Sequence, residues 1–116
     1  MTRVALVATG LVAAFSAVPV QDVTAQEAAE SLEFRSPNAA YEAGAFQQAL
    51  EGFLGLQVER PADADLRMNL GSAQYRLGDF EAAAQSFAAA AANGDEAIRA
   101  EAYYNLGNTS YRRGQL

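Results

Sequence analysis

The sequence repeats itself at a nearly constant spacing, and this repetition limits the folds open to the chain more than any other feature. Residues 44–53 (GAFQQALEGF) and residues 78–87 (GDFEAAAQSF) share a glycine, an alanine and two phenylalanines at an offset of 34. Residues 105–107 repeat the Asn-Leu-Gly of residues 69–71 at an offset of 36. A period of about 20 to 50 residues is typical of stacked helical units, each of which needs its neighbours to bury its apolar face. The sequence therefore predicts an all-α repeat protein.

Turn and capping residues divide the repeats into helices. Pro37 suits the first turn of a helix, and Pro61 prevents one helix from continuing directly into the next. Gly44 and Gly78 supply the left-handed residue that ends many helices, and aspartates provide N-caps. The predicted helices cover residues 38–43, residues 46–58, a third from a cap at Asp63 or Asp65 to Leu77, residues 80–92 after Asp79, and a fifth from Asp95 to Arg113.

With these elements in place, the chain resembles tetratricopeptide repeat proteins, whose pattern combines an aromatic residue, Leu-Gly, a tyrosine, Ala-x-x-x-Phe and a proline. Leu70-Gly71 and the Ala-x-x-x-Phe of residues 83–87 match in the central repeat. The Ala-x-x-x-Phe of residues 49–53 and Pro61 match in the first repeat, and Tyr103 occupies the aromatic position of the third. The chain departs from the pattern at Arg67, Gln74, Asp95 and Ser110.

The resemblance implies antiparallel helix hairpins stacked as a short right-handed superhelical solenoid. About two and a half repeats would cover residues 36–62, 63–94 and 95–116, the last of them incomplete. Gly71 and Gly107 lie in mid-helix, where glycine costs about 1 kcal/mol relative to alanine, so we expect close helix approach at both. Phe53 and Phe87 are expected to fill the space between hairpins. A chain that ends on a first helix has an uncovered flank, so we expect either a longer protein or a partner that covers this end.

The first 25 residues have the layout of a secretory signal peptide. A short basic start containing Arg3 precedes an apolar run over residues 4–18, and small residues end at Ala25. The run is shorter than the ~20 residues needed to span a bilayer, which favours cleavage before Gln26 over retention as a membrane anchor. Residues 26–35 are predicted to be a linker or an N-terminal cap. The protein is expected to be exported and periplasmic, or anchored in the inner membrane if the leader is kept.

Composition excludes several classes of function. The chain has no cysteine and no histidine, which removes disulfides, thiolate metal sites and the most usual general base. Its net charge is −6 and it has no basic stripe, so nucleic-acid binding is not expected. No nucleophile–base set, phosphate-binding glycine loop or ligand cluster occurs, and we expect no enzymatic activity, cofactor or metal. The acidic pairs Asp63 with Asp65 and Asp95 with Glu96 lie at helix starts and are interpreted as caps.

What remains is a binding surface on the first helix of each hairpin, which lines the concave side of such stacks. Asparagines can donate to and accept from an extended peptide, tyrosines offer contact area, and arginines can pair with acidic side chains or a C-terminal carboxylate. By resemblance, the inward positions include Asp65, Ser72 and Glu101. The predicted partner-binding residues are Met68, Asn69, Tyr75, Arg76, Tyr104, Asn105, Asn108, Tyr111 and Arg112. The alternative is that the tyrosines pack between helices and the arginines are only solvated.

The expected function is a non-enzymatic scaffold of the bacterial cell envelope that holds a partner protein or an extended peptide in its groove. Members of the family that clamp chaperone C-termini place basic residues where this chain has Glu101 and Asn105, so such tails are not expected to bind. The YNLGN of residues 104–108, followed by RRG, resembles repeat proteins encoded beside membrane proteins with von Willebrand-type A domains in aerotolerance-type clusters. Such a membrane protein is a candidate partner. Two alternatives stay open: a membrane-tethered structural subunit of an envelope complex, and the leading fragment of a larger protein with a catalytic part beyond Leu116.

Overall fold

The computed structural model describes residues 34–114, and all regular structure in this part of the chain is helical. The five described helices are α1 (Pro37–Glu42), α2 (Phe46–Glu59), α3 (Ala64–Arg76), α4 (Phe80–Asn93) and α5 (Glu96–Gly114). The all-α prediction is therefore confirmed for these residues. The predicted leader over residues 1–25 and most of the predicted linker over residues 26–35 lie outside the described residues, as do Gln115 and Leu116. None of the described helices is long and apolar enough to cross a bilayer.

Helix boundaries follow from side-chain caps and from two left-handed glycines. Asp63, Asp79 and Asp95 each accept a hydrogen bond through Oδ1 from the backbone N–H three residues later, at 3.1, 3.2 and 2.9 Å. Each bond satisfies an N–H group that the first helical turn leaves without a partner. Gly44 and Gly78 follow α1 and α3 with φ of 84°, a conformation that glycine adopts without steric cost. The predicted caps are confirmed, with Asp63 as the cap of α3, and the predicted helix ends differ from those observed by at most one residue.

Helix α3 is the centre of the packing because it is buried on two faces. One face joins a core cluster with α1 and α2, and another joins a cluster with α4 and α5. Each helix also packs against the next one in the chain, and α3 contacts α5. The first cluster consists of Ala40, Ala45, Ala49, Phe53, Leu66, Leu70 and Ala73, and the second of Met68, Ala83, Phe87, Ala90, Ala91 and Ala102. Removal of these apolar side chains from water is the main term that favours folding.

The two repeated phenylalanines are core residues, as predicted. Phe53 and Phe87 are each only 2% exposed. A Cβ built on Gly71 would lie 2.7 Å from Cε1 of Phe87, so the close approach expected at this glycine is confirmed. The same expectation is wrong for Gly107, where no described heavy atom comes within 4 Å of the Cβ position. The reason is that α4 lies over this face of α3, whereas no described side chain covers the equivalent face of α5.

Candidate functional site

A cleft of about 240 Å³ lies between α3 and α5. Helix α3 contributes three of the seven lining residues, α5 contributes two asparagines, and α1 and α4 contribute one aromatic ring each. The lining residues are Tyr41, Ser72, Tyr75, Arg76, Phe87, Asn105 and Asn108. Pockets for whole small molecules have volumes of about 300–1,000 Å³, so this cleft is suited to a single side chain rather than to a complete substrate.

Three polar side chains of the cleft form no hydrogen bond to any other described residue. Within residues 34–114, the hydroxyl of Ser72 and the side-chain amides of Asn105 and Asn108 form no hydrogen bond. The backbone carbonyl of Asn105 accepts a bond from the Thr109 hydroxyl at 2.7 Å, which leaves the amide itself available. No buried side-chain polar atom in the described residues lacks a partner, so these three groups face solvent. A bound polar segment can therefore take the place of water at the amides.

The cleft holds one cation and no acid. The guanidinium carbon of Arg76 lies 4.5 Å from the centroid of the Phe46 ring, a contact worth about 0.5–1 kcal/mol at an exposed site. Phe46 packs edge-on against Tyr41, with ring centroids 5.2 Å apart and planes at 66°. None of the lining residues is acidic, and the described ion pairs do not include Arg76. Stacking thus holds the guanidinium in place while its N–H groups remain available to an anionic group.

The same stacked arrangement recurs one repeat later. The rings of Tyr75 and Phe80 have centroids 5.2 Å apart at 70°, and the guanidinium carbon of Arg112 lies 4.8 Å from the Phe80 centroid. The family resemblance predicted Arg112 only as a partner-binding residue and did not predict this contact. The signal was present, because Tyr41 and Phe46 precede Tyr75 and Phe80 by the same offset of 34. Each trio joins two successive repeats through one arginine.

Four of the predicted partner-binding residues line the cleft together: Tyr75, Arg76, Asn105 and Asn108. Ser72, predicted as an inward position, lines it as well. Tyr41 and Phe87 complete the wall and were not predicted as site residues. Tyr41 was detectable from its offset of 34 to Tyr75, whereas Phe87 was assigned only to the core.

The remaining predicted residues lie outside the cleft. Met68 is 7% exposed and packs in the second core cluster, so it offers almost no accessible surface. Asn69 lies in a neighbouring groove and donates a hydrogen bond to Asn38 at 3.4 Å. Tyr104 and Tyr111 are 71% and 69% exposed on α5. The face of α3 that carries Met68 packs against α4 and α5.

The site is defined by its own geometry. Within residues 34–114, no three acidic side chains are grouped as metal ligands. Comparisons with models of protein families, with curated proteins and with solved structures found no match to this chain. The fold and the site together define an all-helical protein with a small, partly aromatic cleft that exposes unpaired amides beside one cation.

Proposed function

We propose that this protein is a non-enzymatic scaffold whose cleft holds an extended segment of a partner protein. The observation that carries the proposal is the set of unpaired amides of Asn105 and Asn108 beside the stacked guanidinium of Arg76. No reacting pair of side chains accompanies them in the cleft. Amide and guanidinium groups that form hydrogen bonds but do not react suit a surface that recognises another protein.

The proposed architecture is a short right-handed superhelix of tetratricopeptide-like hairpins. Three observations support it: each helix packs on the next, α3 contacts α5, and the tyrosine–phenylalanine–arginine trio recurs between repeats. In such a stack the first helices of the hairpins, here α1, α3 and α5, lie side by side along one extended surface. The cleft between α3 and α5 then belongs to that surface.

The chemistry of the cleft matches an extended peptide. The amide of Asn105 can donate to a peptide carbonyl and accept from a peptide N–H at the same time. Tyr75 adds a large contact area with few rotors to immobilise. Arg76 can pair with a carboxylate, but an exposed ion pair contributes only about 0–1 kcal/mol. Affinity is therefore expected to come from several contacts acting together.

Selection from a displayed library of random peptides tests the proposal, with dissociation constants then measured by fluorescence anisotropy on the full chain. We expect Asn105→Ala to weaken the selected peptides about tenfold, because an interface group left unpaired costs ~1–3 kcal/mol. Gln85→Ala is the matched control, since Gln85 is exposed on α4 outside the cleft. Identical affinity of the wild-type and Asn105→Ala proteins would remove the cleft from the proposal, and a failure to enrich any peptide would contradict peptide binding.

We propose that the scaffold acts in the cell envelope after export, with a membrane protein that carries a von Willebrand-type A domain as a candidate partner. The support is the apolar leader over residues 1–25 and the YNLGN of residues 104–108 followed by RRG. Mass spectrometry of the exported protein separates a free periplasmic scaffold from a tethered subunit. An N-terminus at Gln26 means a free scaffold, whereas retention of Met1 means a membrane-tethered one.

A further inference from the structure

Two grooves of the protein are equivalent by the internal repeat. The cleft between α3 and α5 has a counterpart between α1 and α3, with a volume of about 70 Å³ instead of 240 Å³. Offsets of 34 and 36 relate every lining residue of the counterpart to one of the cleft. The related pairs are Asn38 and Ser72, Tyr41 and Tyr75, Phe53 and Phe87, Asn69 and Asn105, and Ser72 and Asn108. The two grooves therefore share one plan and differ at two of its five positions.

The difference between Asn38 and Ser72 changes the hydrogen bonding in the two grooves. In the counterpart groove, Nδ2 of Asn69 donates to Oδ1 of Asn38 at 3.4 Å, so two amides bridge the groove. Both residues line the 70 Å³ space and also a second space of about 300 Å³ toward the starts of α1 and α3, so the bridge borders both spaces. In the cleft, the shorter Ser72 forms no bond to Asn105, and no hydrogen bond of the described residues closes the space.

We propose that this repeat position controls whether a partner side chain enters. Ser72 opens the α3–α5 cleft to an aromatic side chain that has a carboxylate on the neighbouring residue of the partner, and Asn38 closes the matching 70 Å³ space between α1 and α3. The inference rests on the proposed function, because it names the side chain that the bound segment inserts.

The two volumes fall on opposite sides of what an aromatic ring needs. A protein cavity of ~150 Å³ binds benzene, and a water molecule in the liquid takes up ~30 Å³. The cleft of about 240 Å³ therefore accommodates a phenyl or phenol ring. The counterpart of about 70 Å³ has room for roughly two waters.

The lining of the cleft favours an aromatic ring over an aliphatic chain of similar size. Tyr41 and Tyr75 line the cleft and are half-buried, and aromatic pairs in edge-to-face contact gain stability beyond the area that they bury. Arg76 supplies a cation in a wall without acids, so a carboxylate next to the inserted ring finds an opposite charge and no repulsion. Ser72 itself contributes chiefly by being small.

The test uses the tetrapeptide acetyl-Gly-Asp-Tyr-Gly-amide, titrated into the full chain and followed by NMR of the backbone amides. We expect Ser72→Asn to weaken binding about tenfold or more, because a ring excluded from its pocket loses the burial of its apolar surface. Ser72→Ala keeps the position small and should change the affinity by less than about twofold. The reverse exchange, Asn38→Ser, should add a second set of shifted signals in α1 and α3. Far-UV circular dichroism confirms that each variant is folded.

Changes in the peptide supply the complementary test. Replacing its tyrosine with alanine should abolish measurable binding, and replacing its aspartate with asparagine should weaken binding about twofold to fivefold, the effect of an exposed ion pair. The library-selected peptides are compared on the same three variants, which covers the case of a tetrapeptide that binds too weakly to measure.

The outcomes separate this inference from the proposed function. Unchanged affinity of Ser72→Asn, or equal binding of the tyrosine and alanine peptides, would overturn size control at this position. If the selected peptides still depend on Asn105 in that case, the binding function stands. Failure of both the tetrapeptide and the library peptides to bind would overturn both proposals.

Discussion

Replacing Gly71 and Gly107 with alanine, one at a time, tests how α4 packs on α3. The two glycines occupy equivalent positions in successive repeats, yet only Gly71 is covered. A Cβ at position 71 would lie 2.7, 2.8 and 3.0 Å from Cε1, Cδ1 and Cζ of Phe87, closer than carbon atoms normally approach. At position 107 no described heavy atom lies within 4 Å of the Cβ.

The two substitutions should change stability in opposite directions. Each gains about 1 kcal/mol because alanine is the better helix former. At Gly71 this gain is opposed by overpacking, which costs ~1–3 kcal/mol when an extra carbon enters a well-packed core. Phe87 is 2% exposed, so its ring cannot move aside without losing burial. Gly71→Ala should therefore be destabilising by up to ~2 kcal/mol and Gly107→Ala stabilising by ~1 kcal/mol, a separation of ~1–3 kcal/mol.

Urea unfolding followed by far-UV circular dichroism measures both free energies of unfolding. For a domain of this size, 1 kcal/mol shifts the melting temperature by about 4–8 °C, so thermal midpoints should differ by at least about 4 °C. Gly55→Ala is the control for helix propensity, because Gly55 lies within α2 with no heavy atom near its Cβ position. Equal stabilisation by Gly71→Ala and Gly107→Ala would refute the contact between Gly71 and Phe87.

Five further substitutions probe the caps, the core and the arginines. Asp79→Ala should lower the free energy of unfolding by about 1 kcal/mol, since it removes the N-cap of α4; an unchanged thermal midpoint would contradict this role. Phe53→Ala should cost ~3–5 kcal/mol in urea unfolding, whereas Leu54→Ala should cost much less because Leu54 is 44% exposed; similar losses would show that the core is misassigned. Arg112→Gln should cost about 0.5–1 kcal/mol at low and high salt through its ring contacts. Arg113→Gln removes an exposed ion pair in which a guanidinium nitrogen lies 2.6 Å from a carboxylate oxygen of Glu81. The loss of about 0–1 kcal/mol in the free energy of unfolding should vanish in 1 M NaCl, where the screening length is about 3 Å. The same salt dependence for both arginines would argue against the stacking of Arg112.

The candidate cleft could be predicted in part from the positions that its residues occupy within each repeat. The family resemblance assigned Tyr75 and Asn105 to one surface because both lie on first helices of hairpins, and both line the cleft. The same register made Met68 and Tyr104 equivalent, although Met68 is 7% exposed and Tyr104 is 71% exposed. The position of a residue within its repeat specifies which face of the helix its side chain occupies, but not whether another helix lies over that face. Exposure therefore had to come from the packing of α4.

Some contacts depend on residues that are far apart in the chain. Asn69 bonds to Asn38 across 31 positions, and Arg76 stacks on Phe46 across 30. Neither pair shows a local pattern that predicts a bond. Such pairs become visible only when the repeat offset is combined with the order in which helices pack.

The sequence by itself determined the helices, their caps and the burial of Phe53 and Phe87. These properties are local or strictly periodic: a capping aspartate, a left-handed glycine and an apolar face at helical spacing each act within a few residues. The tertiary structure decided which of two equivalent positions is covered and which groove stays open at Ser72. Those outcomes follow from close packing between helices. The ring of Phe87 fills the space beside Gly71, whereas the space beside Gly107 is open. The amide of Asn38 likewise fills space that stays open at Ser72, one repeat later.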